Sequence, residues 1–333
     1  MQKPTWTGPA VVAALLVFAA LQGAPVLMLA LAAVPPAMAV LAYTSGWTGV
    51  LITFITTGAL VAWRLPEMLL IALPWCALSG VIACVPLKRK MIRPLLWGLL
   101  CMGTWAGTIA LLSVRLGWPL IPGLAQAFVD WVNTSPQRNT ILLNTYSMGL
   151  SRLDAQSGLN SLAFVLMPDQ IRLQLLYSLR VSVEELLPSG LCEGLVYHTA
   201  LTVILCTALP DWRRRRSGEA GVFPPMEQWY IPRGLGLAVS LLGLGWLVAY
   251  MSSGGVGLYM GLLCAAVFKA AYLLQGVCLL MWLEKRIGIR SVMRNIWAVV
   301  LSLLAPVIPI IMGIVDQRRD ARHLRPDEEV ETL

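Results

Sequence analysis

Lys269 is the residue whose type and position most favour a chemical role. It lies near the centre of an apolar segment at about residues 256–283. A lysine ammonium is costly in hydrocarbon, so a lysine in such a position usually has a function. Tyr272 follows three residues later, so a helix places both side chains on one face, with Gln275 roughly one turn further on. Two roles fit this pattern: a counter-ion for a buried carboxylate, or a binding group for an anionic small molecule.

Glu193 is the acidic candidate to complement Lys269, because it lies in another apolar segment at about residues 189–210. Tyr197 follows four residues later on the same helical face, and His198 is beside it. Glu193 is about one turn from the expected outer boundary, so it either contacts Lys269 or is hydrated. A histidine such as His198, alone on an apolar helix, is more typical of a hydrogen-bonded packing residue than of a ligand.

Catalytic and metal-binding motifs are missing from the sequence. We find no Walker motif, no Gly-x-Ser-x-Gly elbow, no His-Glu-x-x-His and no dinucleotide fingerprint. The second histidine, His323, is in the charged tail, and the seven cysteines lie in apolar segments without a Cys-x-x-Cys pair, as packing residues do. The sequence therefore predicts no cofactor, no metal site and no enzyme.

The elements that hold these residues are membrane helices. Between Lys3 and Arg64 the chain runs for 60 residues without a charged residue or a histidine, and roughly 20 apolar residues already span a bilayer. Of 333 residues, 58% are hydrophobic and 13% charged. The net charge of +8 lies mostly in short loops, which is the pattern of membrane topology rather than of nucleic-acid binding. We predict an all-α polytopic protein in a lipid bilayer.

The apolar segments predict eight or nine spans with one non-membrane insertion. The segments lie at about residues 9–21, 26–41, 49–63, 68–87, 94–114, 189–210, 234–250, 256–283 and 296–315. Prolines at 35 and 36 predict that the second is kinked or broken. Four regions follow: N-terminal membrane helices at 1–114, an insertion at 115–187, C-terminal membrane helices at 188–315 and a charged tail at 316–333. Two small-residue motifs, Gly103-x-x-x-Gly107 and Gly257-x-x-x-Gly261, predict close helix packing.

The insertion contains an amphipathic helix. Ile171, Leu175, Leu179 and Val183 recur every four residues, while charged residues take the other faces. A shorter helix is indicated by a second group of apolar residues: Leu124, Phe128, Trp131 and Val132. We expect this region outside the cytoplasm, either as a packing cover for the bundle or along the membrane surface.

Basic clusters orient the chain. Those at 88–93, 213–216 and 285–294 are expected on the cytoplasmic side, and the four arginines at 213–216 either anchor the topology or bind anionic head groups. The arginines that follow the last segment favour a C-terminal tail on the cytoplasmic side. Nine full crossings would instead place the tail on the side opposite the N-terminus. Prolines 306 and 309 predict that this segment is interrupted, so it is either re-entrant or a crossing helped by the acidic residues of the tail.

Several short motifs support a family resemblance. They are the proline-containing second segment with its glycine turn, Glu184-Glu185-Leu186-Leu187-Pro188, Val222-Phe223 through Trp229 to Ile231-Pro232-Arg233, and Gly313-Ile314-Val315-Asp316-Gln317-Arg318-Arg319. They resemble the YybS-like family of bacterial multipass membrane proteins, a family of unknown function. That family looks distantly similar to the S components of energy-coupling-factor transporters, which hold a small molecule in about six helices and depend on separate ATPase subunits. The resemblance implies the bacterial cytoplasmic membrane, and other membrane or ATPase subunits as partners.

Two hypotheses from different classes remain open at the level of sequence. The first is a transport or small-solute-binding membrane subunit without its own ATPase, based on Lys269, the broken helices and the resemblance. The second is a non-catalytic membrane scaffold or regulatory partner in the cell envelope, based on the amphipathic insertion and the missing catalytic motifs. The proteins that copurify with the chain distinguish the two.

Overall fold

The computed structural model describes residues 7–85, 92–117, 119–153, 169–252, 254–288 and 291–324, and the regular structure in these ranges is helical. The helices are α1 (Thr7–Gln22), α2 (Ala24–Ala32), α3 (Val34–Thr44), α4 (Gly46–Arg64), α5 (Leu69–Cys84), α6 (Ile92–Leu116), α7 (Leu120–Thr134), α8 (Arg138–Ser147), α9 (Asp169–Arg216), α10 (Arg233–Leu242), α11 (Gly245–Met251), α12 (Gly255–Arg286), α13 (Ser291–Leu304) and α14 (Val307–Arg319), with 3₁₀ turns at Pro66–Met68 and Met226–Gln228. Two compact units result: Met1–Trp105 with Leu195–Leu333, and Ala106–Gly194.

Six stretches within the described ranges are long and apolar enough to cross a membrane. They are Gly46–Arg64, Pro66–Cys84, Ile92–Leu116, Asp169–Arg216, Gly234–Met251 and Gly255–Arg286. The count rises to seven when Ile296–Ser302 and Val307–Arg319, which are bent by 105°, are taken as one broken span. The predicted eight or nine spans are therefore not confirmed. The difference arises at the N-terminus, where α1 has 16 residues and α3 has 11, fewer than the roughly 20 that a span needs.

The second apolar segment is broken, as its prolines predicted. α2 ends at Ala32, α3 begins at Val34, and Pro35 and Pro36 lie in the first turn of α3, where a missing N–H costs no helical hydrogen bond. Another break lies between α1 and α2, at Gly23, whose φ is 120°. Glycine adopts this backbone conformation without strain, so the chain can change direction there.

The core of the first unit combines the early helices with the C-terminal part of α9. Met38 of α3, Val61 of α4 and Trp97 of α6 are completely buried in it, together with Cys206 of α9. Cys76 of α5 belongs to the same cluster, as expected for cysteines that act as small packing residues. This core fixes the ends of α5, α6 and α9, and these ends surround a cavity that is described below.

α9 differs from the prediction, which placed an amphipathic helix and a membrane span on either side of Pro188. The structure shows one helix of 48 residues from Asp169 to Arg216. A proline removes only one backbone hydrogen bond, and the neighbouring turns continue the helix through the buried Pro188. At 1.5 Å per residue the helix is about 72 Å long, more than twice the thickness of a bilayer core.

The second unit, Ala106–Gly194, has a hydrophobic core of its own. The predicted stripe on α9 is confirmed, because Leu175 and Leu179 are fully buried and Ile171 and Val183 pack against the same cluster. The shorter helix is also present as α7, but its buried side differs from the predicted one. α7 contributes Val129 and Val132 to the core, whereas Phe128 and Trp131 are exposed.

Cysteine labelling tests the buried stripe of α9. Leu179→Cys should react slowly with maleimide because Leu179 is 1% exposed, whereas Tyr177→Cys should react quickly because Tyr177 is 71% exposed. Arg172→Cys and Glu184→Cys replace partly buried side chains that form ion pairs along the helix, so intermediate rates are expected. Equal rates at the four positions, measured by mass spectrometry of the intact protein, would show a solvated segment instead of a packed helix.

Glycines hold α12 and α14 close together in the first unit. A Cβ atom on Gly276 would overlap the carbonyl oxygen of Pro309, and one on Gly313 would overlap the carbonyl oxygen of Tyr272. Two helix backbones can approach this closely only where side chains are absent. The close packing predicted for Gly257-x-x-x-Gly261 is also found, because Gly261 lies against the backbone of α11.

The first predicted glycine motif does not form such a contact. No atom of the described residues lies within 4 Å of a Cβ built on Gly103 or Gly107. The prediction of close packing was therefore wrong for this motif. Spacing alone does not reveal whether a small-residue face meets another helix, and these two glycines face open space.

Candidate functional site

A buried ion pair at the end of α14 is the central feature of the site. Nη2 of Arg322 donates to Oδ2 of Asp316 at 2.8 Å, and Nε of Arg322 donates to the same oxygen at 3.2 Å. The two side chains are only 1% and 2% exposed. Charged groups are rarely this well buried unless they are paired, and burying the pair itself costs desolvation energy that its Coulomb attraction must offset.

Further hydrogen bonds tie this ion pair to α12 and to the segment before α10. Nε2 of Gln275 donates to Oδ2 of Asp316 at 3.0 Å, while Oε1 of Gln275 accepts from the backbone N–H of Ile231 at 3.4 Å. Nη1 of Arg322 donates to the carbonyl oxygen of Glu227 at 2.9 Å. We call Glu227, Gln275, Asp316 and Arg322 the Asp316 cluster. It joins α12, the end of α14, the segment after α14 and the segment before α10.

The local sequence explains how Arg322 returns to Asp316. α14 ends at Asp320, whose φ of 45° is left-handed and turns the chain back on itself. Asp tolerates this conformation better than most residues. The N–H of Asp320 donates to the carbonyl oxygen of Asp316, and the N–H of Leu324 donates to Oδ1 of Asp320, so the reversed segment is fixed at both ends.

The two oxygens of the Asp316 carboxylate differ in their surroundings. Oδ2 accepts from both Arg322 and Gln275, whereas Oδ1 is buried without a hydrogen-bond partner in the described structure. A buried carboxylate oxygen in this state is costly and is able to accept a hydrogen bond from a bound group. Outside the cluster, the Glu227 carboxylate pairs with Nζ of Lys285 at 2.8 Å.

Tyr272, which was predicted as a site residue, lies in the interior beside the cluster. Its hydroxyl lies 2.6 Å from Oγ of Ser240 and donates to the carbonyl oxygen of Gly236 at 3.2 Å, so it links α12 to α10. Gly236 in turn lies directly against the side chain of Gln317 on α14. The polar groups of three helices therefore converge around Tyr272 and Gln275.

Lys269 is placed differently from Tyr272, although they share a helix. It is partly buried, and its Nζ lies 4.7 Å from the ring centroid of Trp246 on α11. A cation over an indole face is attracted by about 0.5–2 kcal/mol, depending on how dry the site is. Lys269 is therefore nearly two helical turns from Gln275 of the Asp316 cluster and has its own aromatic neighbour.

The candidates on α9 fall into two units. Glu193 is partly buried in the second unit, and its predicted contact with Lys269 stays a prediction. Tyr197 and His198 belong to the first unit and are partly buried. Nδ1 of His198 accepts from Nε1 of Trp105 at 3.2 Å, and its ring packs near that of Trp75. No group of three potential metal ligands occurs in the described ranges.

Sequence reasoning missed the most buried members of the site. Asp316 and Arg322 were assigned to the charged tail because they follow an apolar segment, and Glu227 was given no role. The missed signal was Asp316 itself, a carboxylate directly after the apolar run 307–315 rather than further into the tail. Its partner six residues later could not be predicted, since the pairing depends on the left-handed turn at Asp320.

These features define a multipass α-helical membrane protein with a buried polar site. The family described as "Predicted membrane protein (DUF2232)" matches residues 168–317, and the chain is similar to it over this range. The matched range includes α9 to most of α14, with Gln275 and Asp316. No curated protein and no solved structure matches the chain.

Proposed function

We propose that this chain is a transport or small-solute-binding subunit of the bacterial cytoplasmic membrane that works without an ATPase of its own. The observation that carries the proposal is the Asp316 cluster, a desolvated ion pair at the end of α14 that is hydrogen-bonded to Gln275 of α12. Ionisable groups in such surroundings commonly mark solute or ion pathways, because a purely structural role is served as well by apolar residues.

The broken helices around the cluster support the same proposal. α13 and α14 are bent by 105° at their break, and α10 and α11 together form another interrupted span. Broken helices expose backbone groups that transport proteins use to bind solutes and ions. The resemblance to YybS-like proteins, and through them to S components, points to partners that supply ATP hydrolysis and membrane coupling. The chain itself is proposed to catalyse no reaction.

Lys269 is proposed as the residue that binds an anionic solute. It provides a positive charge near the middle of a 32-residue helix, about one turn from Tyr272 and nearly two turns from Gln275. Glu193, Tyr197 and His198 are retained as secondary candidates, either for solute contacts or, in the case of Glu193, for an ion pair with Lys269.

Lys269→Met should abolish solute retention while leaving the fold stable. Loss of the contact with Trp246 costs about 0.5–1 kcal/mol, so the melting temperature should fall by only a few degrees. The measurement is mass spectrometry of the small molecules that copurify with the protein and are released by denaturation. Wild type should release an anionic compound that the Lys269→Met protein lacks.

Lys269→Arg is the matched control, because it keeps the positive charge and should retain most of the compound. If wild type and Lys269→Met release the same compounds in the same amounts, Lys269 has no part in binding. A large loss of stability in Lys269→Met, partly restored by Glu193→Gln, would instead identify a buried ion pair.

The second candidate function is a non-catalytic scaffold or regulatory partner in the cell envelope. It is favoured by the second unit, which has its own core and exposes large apolar side chains such as Met148, Leu173 and Tyr177. Such side chains fit a partner protein as well as they fit lipid. Under this function an envelope or signalling protein, rather than an ATPase, would copurify.

A further inference from the structure

A cavity of about 520 Å³ lies in the first unit, where the ends of α3, α5 and α9 meet the start of α6. This volume is in the range of small-molecule sites in proteins. The lining combines apolar residues such as Ala39, Ala83 and Val222 with Arg93, Arg214 and several polar groups. The cavity is separate from the Asp316 cluster, with which it shares no residue.

Three buried N–H donors belong to side chains that line this cavity. Nε of Arg93, Nε of Arg214 and Nε1 of Trp97 are all inaccessible to solvent and lack a hydrogen-bond partner in the described structure. Buried donors are nearly always paired, so three in one cavity lining require an explanation. A bound group that is rich in acceptor oxygens would pair those of the three donors that face the cavity.

The residues that line the cavity carry more positive than negative charge, and Glu219, whose side chain hydrogen-bonds Tyr43, lies outside the lining. The guanidinium groups of Arg93 and Arg214 are close enough to repel each other. Nη2 of Arg93 donates to the carbonyl oxygen of Val85, and the guanidinium of Arg214 lies 5.3 Å from the ring centroid of Tyr43. The first contact pairs one N–H group of Arg93, and the second covers one face of the Arg214 guanidinium. Neither contact neutralises a positive charge.

Asp211 is the acidic residue among those that line the cavity, and its carboxylate already accepts a hydrogen bond from the backbone. It is 6% exposed, and Oδ2 accepts from the backbone N–H of Phe223 at 2.6 Å. With two arginines and one aspartate the lining carries a formal charge of +1. The cavity therefore favours an anion. The hydrogen bond from Phe223 to Asp211 fixes the segment with Val222 and Phe223, which forms part of the lining.

We propose that this cavity binds a phosphate-bearing anion with an apolar part. Guanidinium groups bind phosphate through paired N–H groups, and Arg93 and Arg214 both retain such groups at the cavity. The indole N–H of Trp97 adds a third donor, and the alanine and valine side chains accept the apolar part. The basic clusters place this end of the helices on the cytoplasmic side, so the ligand is either a lipid head group of the inner leaflet or a soluble phosphate ester.

Binding to the purified protein in a neutral detergent distinguishes these sources. Native mass spectrometry with phosphatidylglycerol, and with phosphatidylcholine as the zwitterionic comparison, tests the head group, while the melting temperature in inorganic phosphate or glycerol phosphate tests the soluble ligand. Arg93→Gln and Arg214→Gln should each weaken binding about tenfold, since each removes a charged hydrogen bond. Trp97→Phe should weaken it less, because it removes a neutral donor rather than a charged one.

The matched controls are Arg213→Gln, whose side chain is exposed and outside the cavity lining, and Trp75→Phe, whose N–H is also buried and unpartnered but lies outside the lining. Both should bind like wild type. Preference for phosphatidylglycerol alone assigns a head group, and stabilisation by the soluble phosphates assigns a phosphate ester. Absence of binding to all probes, or equal affinities in the cavity variants and controls, would overturn the proposal.

Chemical modification gives a second measurement that needs no variant. Phenylglyoxal reacts with arginine guanidinium groups, and peptide mass spectrometry reads the modification at each position. The bound ligand should protect Arg93 and Arg214 of the wild-type protein and leave Arg213 reactive. Equal modification of all three with and without ligand would exclude the site, even if the glutamine variants fail to fold.

Discussion

Arg322→Met is expected to lower the free energy of unfolding by about 3–5 kcal/mol, since it leaves the Asp316 carboxylate buried without its cation. Asp316→Leu should have an effect of the same size for the opposite reason, because the Arg322 guanidinium then loses its counter-ion. The measurement is the melting temperature and denaturant midpoint of the purified protein in detergent. Arg319→Met is the control, because that arginine is exposed on the last turn of α14 and its loss should have little effect.

The double variant Asp316→Leu/Arg322→Met separates charge pairing from packing. It removes both charges together, so its stability should return most of the way to that of wild type. If the double variant loses as much free energy of unfolding as the two single variants together, the two side chains stabilise the fold by packing and not by charge pairing. A double variant that is stable but loses the copurifying solute would assign the ion pair to function, as the proposal requires.

Gly276→Ala is expected to cost about 3 kcal/mol or more, at the upper end of the effects of overpacking. The added methyl group would overlap the carbonyl oxygen of Pro309, and a backbone atom cannot rotate away as a side chain can. α12 and α14 must then separate, which also pulls Gln275 away from Asp316. The result should be a lower melting temperature together with loss of solute binding.

Gly103→Ala is the matched control on another apolar helix, because nothing in the described structure lies within 4 Å of its added methyl group. It should be neutral or slightly stabilising, since alanine favours helix more than glycine does. Equal effects of the two substitutions would show that the close crossing of α12 and α14 does not exist in the protein.

Much of the fold could be predicted from the sequence, because lipid imposes simple rules. The charge-free stretch up to Arg64 predicted membrane helices, of which Gly46–Arg64 is long enough to span, and the four-residue spacing of Leu175 and Leu179 predicted a buried stripe. The exact division into helices was harder. Pro35 and Pro36 break the chain before α3, whereas Pro188 lies within a continuous helix, and only the surrounding contacts decide which occurs.

The candidate site was predicted in part, for a similar physical reason. Helical spacing placed Tyr272 and Gln275 together on α12, and both are buried at the polar site. Asp316 and Arg322 joined them through a left-handed turn and through glycine-mediated packing, neither of which leaves a periodic signal. The cavity at Arg93 and Arg214 likewise combines residues more than 100 positions apart, so no local pattern announces it.

The most direct test of the proposed function is the set of proteins that accompany the chain in its native membrane. The chain is purified with a mild detergent from cells that express it at its natural level, and the eluate is analysed by quantitative mass spectrometry and assayed for ATP hydrolysis. A solute-binding subunit without its own ATPase should bring with it an ATPase and a membrane coupling protein in amounts similar to its own. An eluate that lacks any ATPase and is instead enriched in an envelope or signalling protein would contradict the transport function and support the scaffold.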